Sequence, residues 1–150
     1  MAYEILVFIH ILSATLWLGG GIVMELLHLR LGTSPTTEQL RDFFSMSHWI
    51  SPRLFMPAAL STLISGVALV FMGGAGWGDT WIIIAIVGVV ITVAIGATQI
   101  GPTVARISAL MDSGDPSAIA PLTRKLALVT RIDLAILLLV LFDMVFKPMF

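Results

Sequence analysis

The chain has 150 residues and a net charge of −1, with 58% hydrophobic and only 11% charged residues, and its mean hydropathy is +1.03. That composition excludes an ordinary soluble domain and places the chain among integral membrane proteins. The lack of cysteine removes disulfides, thiolate metal sites, iron–sulfur clusters and cysteine nucleophiles, and with no basic tract nothing points to nucleic acid as partner.

The amino end, MAYEILVF, shows neither the positive region nor the small-residue cleavage site of a secretory signal, so the first apolar segment is expected to stay in the membrane. A hydrocarbon core about 30 Å thick needs about 20 helical residues. Four segments qualify: roughly 5–29, 49–73, 80–105 and 126–147. The expected fold is all-α and integral to the membrane, a four-transmembrane-helix bundle forming a single domain over residues 1–150.

Between the first two spans, Thr36 and Gln39 have capping-box spacing, and TEQLRDFFSMSHW predicts a short interfacial amphipathic helix running into the second span. GGAGWGD predicts a tight turn before the third. Asp115 and Pro116 are an N-cap and first helical position for a helix leading into the fourth. Of the eight Lys and Arg residues, only Lys147 falls away from the side of the first and third connections, so both termini are expected outside. Ser61 with Ser65, Gly88 with Thr92 and Gly96, and Ala97 with Gly101 have helix-contact spacing, read as packing within the chain ahead of a homodimer interface.

The first helix raises the functional question. In FIHILSATLWLGGG, positions 10, 14, 17, 21, 24 and 28 share a face at about 100° per residue, so His10, Ala14, Trp17, Gly21, Met24 and His28 form one inward stripe. Its glycines leave room for something flat or bulky, either a porphyrin or another helix. His10 and His28 lie about 27 Å apart along the axis and cannot share an ion, which separates two candidate sites.

The inner candidate contains His28, His48, Glu25, Arg53 and Arg131. Glu25 and Arg131 sit at equal depth and are expected to pair, since either charge alone is costly in a membrane. The arginines either compensate charge or hold the propionates of a cofactor. The outer candidate contains His10, Asp143, Met144 and Lys147, with Met72 and Trp77 nearby. Asp143 precedes Lys147 by four residues, the favourable order for a helical ion pair, and its depth lets it orient the His10 imidazole.

These residues carry a resemblance. FIHILSATLWLGGGIV and the closing MVFKP resemble the first helix and C-terminal signature of a small four-helix bacterial membrane family of unknown function. The first helix also resembles copper-resistance D-type domains and the membrane-bound protoporphyrinogen oxidases that carry b-type haem. In those oxidases a first-helix histidine acts with a third-helix lysine. The resemblance therefore gives His10 the haem-ligand role and implies residence in the bacterial inner membrane. The third span, WIIIAIVGVVITVAIGATQIG, has no lysine, so the likeness does not extend to the oxidase chemistry. Soft ligands are scarce around His10, which weakens a copper site.

Three functional classes remain open from the residues. The first is a haem b protein for electron transfer or small-ligand redox sensing, with His10 as axial ligand, Trp17, Gly21, Asp143, Arg53 and Arg131 around the cofactor, and His28 with His48 as the alternative metal site. The second, with a copper ion or no cofactor, is metal-ion or proton transport along His10, the acids and Gln99. The third is a structural membrane subunit of a larger complex. The expected partners are the bilayer, a second copy of the chain or a membrane redox complex.

Overall fold

The computed structural model describes residues 1–32, 35–74, 76–113 and 118–147, and every regular element among them is helical. Helix α1 spans Ala2–Arg30, α2 Thr37–Ile50, α3 Met56–Gly73, α4 Thr80–Ile95, α5 Gly101–Ser113 and α6 Ile119–Phe146. A π-helical turn at Ser51–Phe55 joins α2 to α3, and another at Gly96–Ile100 joins α4 to α5. The described chain thus forms four long rods, matching the four segments expected.

Both π turns fall at prolines. Pro52 lies in the first, Pro57 in the opening turn of α3, and Pro102 two residues after the second. Proline donates no N–H and crowds the carbonyl four residues back, and a wider turn is one way a helix absorbs that without breaking.

Three rods, Ala2–Arg30, Thr37–Gly73 and Thr80–Asp112, are long and apolar enough to cross a membrane. The 28 residues of α6 have the length, but Arg131, Asp133 and Asp143 interrupt the apolar run. Both aspartates are buried in the bundle, and Arg131 is paired, the usual condition for an ionisable group at membrane depth.

The second rod has 37 residues, a length of about 55 Å, far more than the hydrocarbon needs. The excess, α2, packs on α5, the corresponding excess of the third rod. Phe44, Val104, Ile107, Met111, Ile119 and Leu126 form a core there. The capping box opens α2 as expected: the Gln39 N–H donates to the Thr36 hydroxyl at 3.2 Å, and the Thr36 N–H to Gln39 Oε1 at 2.9 Å. The amphipathic helix runs into the second span through the first π turn, and its apolar stripe meets the matching stripe of α5, where Phe44 is 1% exposed. The Asp115–Pro116 cap lies outside the described residues.

A second core, Trp17, Ala58, Ala59, Val89 and Leu137, sits within the crossing rods. There α1 packs chiefly on α3, and α4 chiefly on α6. Small residues set these contacts, as expected: Gly88 is pressed against Val140, and Ser61 meets Ser13. At the α3–α4 turn, Gly74 takes a left-handed φ of +71°, and the Asp79 carboxylate accepts from the Gly76 N–H at 3.1 Å.

Candidate intramembrane histidine site

His10 lies on the α1–α3 seam. Its Nδ1 is 3.0 Å from the Thr62 carbonyl oxygen and 3.2 Å from Ser65 Oγ. The Ser65 hydroxyl donates to the Ser61 carbonyl, so Nδ1 carries a proton and donates to both oxygens. Gly66 makes this approach feasible: a Cβ there would stand 3.0 Å from the imidazole Cε1. One turn further in, the Ser13 hydroxyl donates to Ser61 Oγ at 2.8 Å. His10, Ser13, Ser61, Thr62 and Ser65 form a continuous polar seam inside an apolar helix pair, in which the Ser13, Thr62 and Ser65 hydroxyls each donate to an oxygen.

Of the α3 half of the seam, Ser61 and Ser65 were expected as helix-contact residues but not as partners of His10. The signal for that role was available, because Ser61, Thr62 and Ser65 with Gly66 put hydroxyls and a vacant Cβ position on adjoining positions of one face. The expected orienting group, Asp143, is not the one used. Both Asp143 oxygens are buried without a hydrogen-bond partner, and the Thr62 carbonyl performs that role. Nor does Asp143 pair with Lys147, whose backbone turns left-handed at φ 44° and whose ammonium sits 5.1 Å from the centre of the Trp81 ring. Leaving the helix swings that side chain off the i, i+4 ridge.

The trough below His10 is filled by other helices. Trp17 is buried with Ala58, Ala59, Val89 and Leu137. Gly21 faces Leu134, to which a Cβ would come within 2.8 Å, and Gly20 faces Phe55 and Leu54. Trp17 and Gly21 therefore serve helix packing, the alternative to a porphyrin wall. Gln99 is exposed, as are Met72 and Trp77, while Met144 is half-buried.

The inner candidate divides in two. Arg131 Nε donates to Glu25 Oε1 at 2.7 Å, the pairing expected from matched depth. The other Glu25 oxygen is buried without a hydrogen-bond partner. Arg53 does not join this pair: it donates to the Trp49 carbonyl at 2.9 Å and stacks 4.7 Å from the Trp49 ring centre. His28 packs on Phe43, ring centres 5.5 Å apart, whereas His48 faces the α2–α5 cavity. Five residues along a helix turn through about 140°, so one face of α2 cannot bring His48 to His28 as a ligand pair. Among the described residues no cluster of three or more His, Asp or Glu side chains could hold a metal ion.

The sequence pattern of a family described as predicted integral membrane protein (DUF2269) matches residues 4–148. The chain belongs to that family. No curated protein and no solved structure matches it. The match covers all four rods of the DUF2269 protein, from the first turn of α1 to the end of α6. It establishes an integral membrane protein of a family of unknown function.

Proposed function

We propose that this DUF2269 protein is a b-type haem-binding integral membrane protein for electron transfer or small-ligand redox sensing, with His10 as the axial ligand. The observation that carries the proposal is the hydrogen bond from His10 Nδ1 to the Thr62 carbonyl. A ligating histidine ordinarily donates its second ring N–H to a carbonyl or carboxylate, and the Thr62 carbonyl accepts from His10 Nδ1 in that manner, so Nε2 would be the ligating atom. An ionisable group at membrane depth is also a functional residue by default.

The fit of the residues is specific about roles. His10 fits one axial position. Trp17 and Gly21 do not fit as a ring-binding trough, because side chains of α6, α3 and the first π turn occupy it. Arg131 and Arg53 are committed to Glu25 and Trp49. Haem would supply the one-electron chemistry that a cysteine-free chain lacks. The chain's own contribution is to orient the imidazole through Nδ1 and to shield it with the apolar α1–α3 pair.

The same reading makes α6 the fourth span and puts both termini outside, in the inner membrane of a bacterium. Supporting it, the connection-side ends of the rods carry Arg30, Arg41, Arg53, Arg106, Arg124 and Lys125, against Lys147 at the other end. The electron partner is a membrane redox complex or a second copy of the chain.

The test is an optical spectrum of the purified protein. A Soret band with b-type features after reduction supports the proposal, and a colourless preparation from haem-replete cells rejects it. A second reading, proton movement, is favoured by one observation: Asp133 and Asp143 are buried with carboxyl oxygens lacking any hydrogen-bond partner. Proton flux into liposomes that Asp143→Asn abolishes, in a colourless protein, would establish it instead.

A further inference from the structure

The outer side of α6 carries a guanidinium that the bundle only half answers. Arg124, Leu128 and Arg131 follow one ridge at i, i+4 and i+7, and all three are exposed. Arg131 gives its Nε to Glu25 at 2.7 Å, and its two terminal nitrogens make no hydrogen bond among the described residues. Its side chain is 55% exposed, beside the exposed apolar side chains of Leu128 and Ile132.

Depth turns that exposure into a demand. Counting about 20 residues back from Phe146, where α6 ends, puts the inner hydrocarbon boundary near Leu126. Arg131 then lies about 7.5 Å inside the boundary and Arg124 about 3 Å beyond it, within a headgroup layer about 5–8 Å thick on each face. Water satisfies an exposed guanidinium outside the membrane, but hydrocarbon offers it no acceptor. Side chains on a helix lean toward its N-terminus. For α6 that is the cytoplasmic end, so the long Arg131 side chain is directed toward headgroup level.

The acceptor available there is phosphate, which a guanidinium can hold through two parallel N–H bonds. The local charge selects the lipid. Two arginines less the Glu25 carboxylate leave one positive charge, which a single phosphodiester balances. Residues 119–132 contain no acid, so an ethanolamine ammonium would find no carboxylate on this face. We propose that the Arg124–Arg131 ridge binds the phosphodiester of an anionic phospholipid of the inner leaflet, on the Arg124 guanidinium and the terminal nitrogens of Arg131. The inference rests on the placement of α6 as the fourth span and not on haem.

The experiment is native mass spectrometry of the purified full chain titrated with phosphatidylglycerol and phosphatidylethanolamine of matched acyl chains, with free glycerol phosphate as a separate arm. Phosphatidylglycerol should be retained about tenfold above phosphatidylethanolamine. Arg124→Gln should lower its retention about tenfold, and so should the Glu25→Gln, Arg131→Gln double variant, which strands no charge. Lys125→Gln removes the same charge at the same depth, about 100° round the helix, and should leave retention unchanged. Circular dichroism checks that the helices persist in each variant. Equal retention of the two lipids, equal losses in Arg124→Gln and Lys125→Gln, or indifference to the arginine substitutions overturns the proposal. Free glycerol phosphate bound as tightly as the lipid rejects the lipid as the ligand. The placement of α6 has its own readout, because the chain lacks cysteine: Leu139→Cys, at an exposed position, should resist a water-soluble maleimide in liposomes. Labelling there rejects the span and the site together, whereas protection without lipid preference rejects the site alone.

Discussion

The two cores of this molecule are built from different materials. The α2–α5 core uses large side chains, among them Phe44, Ile107 and Met111, brought together by two amphipathic helices. The core of the crossing rods uses Ala58, Ala59 and Gly88 around Trp17, with a hydroxyl seam beside it. Water drives the first, since burying Phe44 removes apolar area from solvent. Lipid gives no such drive, so helices within it associate through close approach and hydrogen bonds, which requires small residues and hydroxyls. His10 belongs to the second kind of core, and its partners are therefore a backbone carbonyl and a serine instead of an ion pair.

The comparison can be broken from either side. Phe44→Ala should have the largest effect, destabilising the α2–α5 end by about 3–5 kcal/mol as a fully buried aromatic, read by urea unfolding in detergent. If the loss appears instead in the crossing rods, the two cores are one. Glu25→Gln should cost about 2 kcal/mol. This is below the about 3–5 kcal/mol of a fully buried broken pair, because the long Arg131 side chain, 55% exposed on the bundle surface, reaches toward the headgroup layer when its partner is lost. The Glu25→Gln, Arg131→Gln double variant should be milder than the sum of the two, and additivity in the cycle contradicts the pairing.

Gly88→Ala sharpens the second half of the comparison. Its methyl would overlap the branched Val140 side chain, which has one favoured rotamer in a helix, and the overpacking should cost about 1.5 kcal/mol. Ser13→Ala should be the smallest, about 0.6 kcal/mol, the average worth of a hydrogen bond between membrane helices. A loss several times larger would mean that the seam carries the α1–α3 contact alone.

Hydropathy and helix arithmetic were enough to find the four rods, the Thr36–Gln39 box and the Glu25–Arg131 pair, because each depends on spacing along one or two helices. The π turns and the length of α2 and α5 were less legible, since prolines read as breaks until a wider turn is known to absorb them. The glycine stripe misled for a physical reason: a missing Cβ admits a neighbour's leucine as readily as a cofactor, and only the rotation of α6 decides that Leu134 takes the space at Gly21. Rotation likewise gave His10 to Thr62 on α3 instead of Asp143 on α6. Depth alone had allowed either.

The most direct test of the role assigned to His10 is the haem content of three purified variants by pyridine haemochrome, each normalised to folded protein. His10→Leu should lose nearly all bound haem and remain inserted, while His28→Leu and His48→Leu keep it, because neither of those imidazoles has Nδ1 bonded within the seam. Full haem in His10→Leu, with loss in either of the other two, would move the cofactor to the α2 end and contradict the assignment.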